Sequence, residues 1–242
     1  MNTSNRWFSI IEKVVLRVID GLVLTSKEYY NQYYKHLGNN RVTSFHFIEN
    51  KVPKVLLPQR VKGNKKVTRQ ITIGLIGLLR YELPILRLIK FVENNPSLFS
   101  LKVFGDGPLK HYFKKGHSDI TYYGSFKNPD ELGNIYKQID ISYVVYDPSS
   151  LNVRLAVPNK LYESAFFRVP ILCSANTYLS KLVKEWGIGD EVNISSQKIF
   201  DRDMLKYLNA SWIESKLENC LRIPNSNLVD DQENVIINFI GE

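Results

Sequence analysis

Four short runs in this chain combine glycine or proline with a residue able to hold a ligand. They are Gly77-Leu78-Leu79-Arg80, Gly105-Asp106-Gly107-Pro108, Gly124-Ser125-Phe126 and Pro158-Asn159-Lys160-Leu161-Tyr162-Glu163. In the first, Gly77 lets backbone approach a ligand closely, and Arg80 could clamp a phosphate with two N–H donors. A plain glycine turn followed by a surface arginine accounts for the same residues. The second run is a G-x-G after an apolar stretch; it lacks the third glycine of the dinucleotide fingerprint, which argues against NAD, and any tight turn produces it. In the third, Gly124 and Phe126 could cradle a planar base, or simply end a strand.

The fourth run says most. Pro158 suits the first turn of a helix, whose free N–H groups favour an anion. Lys160 then adds positive charge in a first turn, which opposes the helix dipole unless an anion offsets it. Glu163 could accept hydrogen bonds from a ribose diol. The competing reading is a proline-initiated helix with an exposed lysine and glutamate. The four histidines, His36, His46, His111 and His117, have no metal-ligand spacing, and no nucleophile triad or P-loop motif is present. No metal and no cofactor is expected.

The elements that must position these runs follow from periodicity. Apolar strands are predicted at Ile71–Ile76, Ser100–Phe104, Ile120–Tyr123, Ile141–Tyr146 and Val169–Ser174. Helices are predicted between them at Leu83–Glu93, Asp130–Gln138 and Pro158–Phe167, with another at Tyr178–Trp186. Strands alternating with helices imply an α/β fold, a parallel sheet covered on both faces. In such a sheet ligands bind beyond the carboxyl ends of the strands, where all four runs fall. Before this block, Trp7, Ile10, Ile11, Val14, Val15, Val18 and Ile19 recur at helical spacing. A strand over Asp20–Ser26, a helix from Lys27 to Leu37 capped by Ser26, and a strand over Val42–Ile48 follow. Glu49 to Arg69, with Pro53, Pro58 and Gly63, reads as a linker. After it, Asp201–Leu208, Ser211–Leu221 and Val229–Phe239 read as helices.

The chain has 242 residues, 44% hydrophobic and 23% charged, which is globular composition. It suits one large domain, or one domain with part of another. The formal charge is +8. Only Arg60, Lys62, Lys65, Lys66 and Arg69 form a dense run, and no nucleic-acid motif accompanies it, so nucleic acid ranks last among anionic partners. Cys173 and Cys220 match no metal or redox spacing, and Cys173 reads as a buried small hydrophobe in a reducing cytoplasm. With Arg17 and Asp20 interrupting the apolar stretch from Val14 to Leu24, no spanning helix is expected, and any membrane contact is peripheral, at the inner face.

Taken together, "ITIGLIGLLRYELPILRLI", "LKVFGDGP", "ITYYGSFKNPDELGNIYKQIDISYVVYD", "VPNKLYESAFFRVPILCS" and "LVKEWGIG" resemble the C-terminal domain of the GT-B glycosyltransferases, specifically the retaining family 4. The resemblance implies a Rossmann-like nucleotide-sugar-binding domain over residues 70–200, preceded by a small αβαβ remnant of an N-terminal domain over 1–52 and a linker over 53–69, and followed by helices over 201–242. It implies that Glu163 holds the nucleotide ribose, that Asn159 and Lys160 begin the helix receiving the diphosphate, and that Arg80 is a diphosphate-binding cation. Gly77, Gly105 and Gly107 would form the donor loops, with Gly124 and Phe126 beside the base.

Two departures stand against full activity. The family's first glutamate falls at Leu155, and most of the acceptor-binding domain is absent, so donor binding is expected more firmly than transfer. The expected function is a glycosyltransferase, or its donor-binding half, in capsule, exopolysaccharide or lipopolysaccharide synthesis, with a glycan or lipid-linked acceptor. The alternatives are a subunit needing a separate acceptor-domain protein, docked on the apolar face of the first helix, and a non-catalytic remnant. Packing of that face onto the chain's own strands is the preferred expectation.

Overall fold

The computed structural model describes residues 10–36, 44–60, 70–114, 116–233 and 237. Six parallel strands form the main sheet: β3 (Ile71–Ile76), β4 (Phe99–Phe104), β5 (Ile120–Gly124), β6 (Ile141–Val144), β7 (Ile171–Ser174) and β8 (Gly189–Val192), in the order β5-β4-β3-β6-β7-β8. The chain therefore starts in the middle of the sheet, winds outward through β4 and β5, and returns to the other side of β3 at β6. That reversal makes a topological switch point between β3 and β6, where a crevice opens at the strand ends. The registers of β3 with β4 and with β6 place Ile73 beside both Leu101 and Ile141.

The central strands β3, β6 and β7 are buried almost throughout because helices cover both faces. The helices α2 (Glu82–Glu93) and α7 (Gln197–Tyr207) bury Leu88, Val92, Phe200 and Met204 in one core cluster. The helices α3 (Leu132–Lys137), α5 (Lys160–Phe166) and α6 (Tyr178–Glu185) contribute Ile135, Leu161, Phe166 and Val183 to a second. Cys173 and Cys220 are both buried and free, and burial pushes both thiols upward in pKa. Helix α8 (Ala210–Arg222) reaches both clusters, through Leu217 and Cys220.

Ahead of this sheet, β1 (Gly21–Leu24) and β2 (Ser44–Phe47) pair in parallel with α1 (Lys27–Gln32) between them. The Ser26 side chain accepts from Glu28 N at 3.1 Å, the expected cap. This unit is tied to the rest of the chain at several points. Asn50 Nδ2 donates to Val157 O at 3.0 Å, and the Gln232 amide bonds the Glu49 backbone in both directions, at 2.7 and 2.9 Å.

Several expectations change. The helix expected from Pro158 starts at Lys160, with Asn159 as its cap. Strand β8 was not expected because its centre is Asp190-Glu191. Those carboxylates are held from outside the sheet, Glu191 by Lys184 at 2.6 Å and Asp190 by Trp212 Nε1 at 2.8 Å and Lys216 at 3.1 Å. Part of the expected linker forms a 3-10 turn, Lys54–Gln59, which buries Leu56. Val229 is extended rather than helical, bridging Val52. A short helix α4 (Leu151–Leu155) and a final turn α9 (Asn225–Leu228) complete the chain. Trp7, Leu37, Val42, Gly63, the basic residues Lys62, Lys65, Lys66 and Arg69, and Phe239 lie outside the described residues.

The first helical segment, residues 10–15, overturns the packing expected of it. Glu12 turns inward, where it accepts hydrogen bonds from the Tyr33 and Tyr34 hydroxyls, while Lys13 and Arg17 are exposed. Ile10, Ile11, Val14, Val15 and Val18 are 44–71% exposed, and Leu16 is the residue that is buried. Periodicity located an apolar face; the side that turns in is instead that of Glu12, bonded by two tyrosines, and Leu16. No helix of the described residues is long and apolar enough to cross a membrane.

Candidate functional site

At the switch point lies a cavity of about 500 Å³, within the range of small-molecule sites. Its floor is the ends of β3 and β6, at Ile76 and Val144. One wall is the loop Gly77–Tyr81, the opposite wall is the turn Val157–Lys160, and Thr25, Tyr29 and Asn50 close it from the N-terminal side.

The three glycine loops stand next to one another and are hydrogen-bonded together. Gly77 N donates to Phe104 O at 2.8 Å, Leu79 N to Asp106 O at 2.9 Å, and Gly105 N to Gly124 O at 2.7 Å. This stacking leaves no room for side chains. A Cβ on Gly105 would sit 1.8 Å from Gly77 O, and one on Gly107 would sit 2.5 Å from Leu79 O. Gly105 and Gly107 therefore set the height of the first loop, and neither lines the cavity; nor does Gly124. Gly77, Arg80, Phe126, Asn159 and Lys160 do line it, together.

Arg80 is exposed at the cavity wall, its guanidinium carbon 4.9 Å from the centre of the Tyr81 ring and one N–H donating to the Tyr81 hydroxyl at 2.9 Å. Tyr81 in turn packs against Tyr146, ring centres 5.0 Å apart. Tyr146 is fixed by a reciprocal bond with Ser174, whose hydroxyl accepts from Tyr146 N at 2.6 Å and donates to Tyr146 O at 2.7 Å. Burial raises the pKa of Tyr146, so its phenol stays protonated.

Lys160 and Glu163 are not the exposed pair that a proline-led helix would carry. Their side chains are only 7% and 4% exposed, and they form an ion pair at 2.6 Å. The Glu163 carboxylate also accepts from Tyr136 Oη at 2.9 Å and from the Asn159 amide. A carboxylate has about four acceptor sites, so these three donors leave one on Oε1. Glu163 lines not the main cavity but an adjoining space of about 390 Å³, which shares Asn50, Asn128, Pro158 and Asn159 with it. The Tyr136 phenol is raised well above its ordinary pKa by burial, with the Glu163 charge adding to the effect. Leu155 is buried on α4, and it is Asn152, Val153 and Ala156 that line the cavity there.

Tyr29, Tyr81, Tyr146 and Asn152 also line the cavity, and reading loops in sequence missed them. Tyr81 follows Arg80 directly, and Tyr146 lies just past the end of β6, so both were within reach of the strand-end argument. Tyr29 was not, because it comes from the separate β1-α1-β2 unit. Its hydroxyl donates to Asn152 Oδ1 across the cavity mouth.

A six-stranded parallel sheet in this order, with a cavity at the switch point built from a glycine loop and a helix start, is the Rossmann-like α/β arrangement of the GT-B glycosyltransferases. Solved structures of similar fold bear this out. Anabaena Alr3699/HepE, determined in complex with UDP and glucose, matches 99% of this chain over 69% of its own, with a TM-score of 0.71 at 10% identity. A glycosyltransferase from Rickettsia africae matches 98% over 66% of its own chain, with a TM-score of 0.68 at 13% identity. Sucrose-phosphate synthase from Thermosynechococcus elongatus matches 97% over 60%, with a TM-score of 0.61 at 15% identity. At these identities the likeness is one of fold, and the chain spans only 60–69% of the length of these three proteins. No protein-family model and no curated protein matches the sequence.

Proposed function

We propose that this chain binds a nucleotide-diphosphate sugar at the switch-point cavity and takes part in glycosyl transfer, in capsule, exopolysaccharide or lipopolysaccharide synthesis. The observation that carries this reading is the charge inventory of the cavity: Arg80 and Lys160 are the only charged side chains among its described lining residues, and both are cations. A diphosphate placed between them accepts a two-pronged contact from Arg80. It also accepts from Lys160, whose bond to Glu163 takes one of three ammonium donors. The backbone at the start of α5 and the Asn159 cap border the same position. Phe126 flanks the base, and the remaining acceptor site on Glu163 takes one ribose hydroxyl. With Leu155 where the family resemblance expects a second acid, the ribose has one carboxylate acceptor rather than two. As the sugar leaves, the two cations offset the charge growing on the diphosphate; the family resemblance adds retention of anomeric configuration.

Calorimetry with UDP, GDP and their sugars tests this. Binding of one nucleoside diphosphate, weakened at least tenfold in Arg80→Ala, supports the reading; absence of binding by every one of them sinks it. The exposed apolar residues from Ile10 to Val18 favour one further arrangement, in which a separate chain bearing an acceptor-binding α/β domain covers that face. Native-scale purification with crosslinking reads it out, and a monomer at native stoichiometry counts against it. Turnover assays with and without such a chain separate a transferase from a domain that only binds.

A further inference from the structure

We infer that Tyr29 and Asn152 together form the subsite that reads the sugar carried on the diphosphate, and that this sugar is an uncharged hexose. The inference rests on the nucleotide-sugar reading of the cavity and goes further by assigning the far end of the ligand. Tyr29 and Asn152 line the same cavity as Arg80 and Lys160, at the edge formed by the N-terminal unit. The Tyr29 hydroxyl donates to Asn152 Oδ1, which fixes the amide's orientation. An asparagine amide has two N–H donors beside that oxygen, and a phenol oxygen keeps acceptor capacity. The pair thus presents donors and an acceptor side by side, the complement of two adjacent sugar hydroxyls. Tyr81 and Tyr146 supply an aromatic wall nearby, suited to the apolar C–H face of a pyranose ring. Thr25 adds a further neutral hydroxyl.

The charge inventory sets the class of sugar. No carboxylate is among the described lining residues of this cavity, so an amino sugar's ammonium would find no counter-charge there. The two cations are taken by the diphosphate, so a uronic acid's carboxylate would find none either. Burying an unpaired charge is costly, and a neutral polyol avoids that cost. The two residues come from different parts of the chain, Tyr29 from α1 and Asn152 from α4, so the subsite exists only when the N-terminal unit is docked.

The test compares affinities by calorimetry for UDP, GDP, UDP-glucose, GDP-mannose and UDP-glucuronate in the full chain and in Tyr29→Phe and Asn152→Ala. In the wild type a neutral sugar nucleotide should bind more tightly than its bare diphosphate, and UDP-glucuronate no more tightly than UDP. In each variant the ratio of sugar nucleotide to diphosphate should fall about fivefold to tenfold, the loss of one or two neutral hydrogen bonds, while diphosphate affinity stays unchanged. Circular dichroism melting confirms that Tyr29→Phe, which deletes one oxygen, remains folded. A ratio unchanged in both variants overturns the assignment, as does a preference for UDP-glucuronate over UDP-glucose. If the wild type binds no nucleoside diphosphate, the reading of the whole site falls with it. If it binds one and only the ratio fails to move, the subsite alone is wrong.

Discussion

Replacing Lys160 with methionine keeps most of the side-chain stem and deletes the ammonium. In the native protein the buried Glu163 carboxylate receives that ammonium at 2.6 Å, the Tyr136 hydroxyl at 2.9 Å and the Asn159 amide. Losing one partner of a buried ion pair costs on the order of 3–5 kcal/mol, because the remaining charge stays out of water. Two neutral donors still solvate Glu163 in the variant, which places the expected loss near the lower end, about 3 kcal/mol. For a chain of this size that corresponds to a fall in Tm of about 6–12 °C. Glu163→Gln should destabilise by a comparable amount, since it strands the ammonium instead. The double variant Lys160→Met with Glu163→Gln removes both charges and should cost about 2 kcal/mol less than the two single losses added together. Urea denaturation followed by circular dichroism measures all three. If Lys160→Met lies within about 1 kcal/mol of wild type, or the two losses simply add, the pair is not the buried, coupled unit described. A positive result also bears on ligand binding, because a Lys160 variant then changes the fold of the helix start as well as the charge at the cavity.

Arg80 is the cleaner probe for that reason. It is exposed, so Arg80→Ala should leave urea stability within about 0.5 kcal/mol while weakening nucleoside diphosphate binding by roughly tenfold to a hundredfold, the size of a lost charged hydrogen bond. Gly105→Ala, whose Cβ would sit 1.8 Å from Gly77 O, should cost more than about 2 kcal/mol from overpacking and backbone strain together. Gly77→Ala meets no atom within 4 Å and should cost less, and equal losses in urea titrations of the two would contradict the stacked-loop geometry. The hydrogen bond from Tyr33 to Glu12 pushes the phenol up to about 12, from an ordinary value near 10. Its folded-state pKa is raised, so this contribution is intact below pH near 10 and is lost as pH climbs through about 12. NMR titration of labelled tyrosine should show the Tyr33 phenol, and to a lesser extent that of Tyr34, returning toward its ordinary value in Glu12→Gln, and no change in either would place the bonds elsewhere.

What the sequence made legible follows the range over which each signal acts. Strands β3, β6 and β7 are largely apolar and buried almost throughout, and such runs identify themselves. Strand β8 hid because Asp190 and Glu191 are satisfied by Trp212, Lys216 and Lys184, partners that only folding brings near. The switch-point loops were legible because the order of strands and helices fixes where strand ends must lie. The roles within them were less so. Gly105 and Gly107 match a ligand-binding pattern, yet their missing side chains make room for neighbouring backbone. No periodicity could show that Lys160 turns inward, since a lysine in a first turn looks the same whether an anion or a buried carboxylate offsets it.

That ambiguity at Lys160 matters for how the site can work. An ammonium held by Glu163 is already oriented, so a diphosphate would meet a cation fixed in place rather than one it must order from solvent, which lowers the entropic cost of binding. The same bond makes Glu163 a shared resource: its acceptor sites hold Lys160, Tyr136 and Asn159 before any ribose arrives. With a leucine buried at position 155, no other carboxylate on α4 takes up the second hydroxyl. On the proposed reading, recognition would shift from the nucleoside toward the other end of the ligand, where the N-terminal unit brings Tyr29 to Asn152. A donor site arranged this way would depend on the docking of β1-α1-β2 more than on the Rossmann-like sheet alone. Weakening the Gln232–Glu49 and Asn50–Val157 bonds that hold that unit should therefore reduce sugar-nucleotide affinity with little effect on the bare diphosphate. Calorimetry on Gln232→Ala measures this, and an equal loss for both ligands would return the weight of recognition to the sheet.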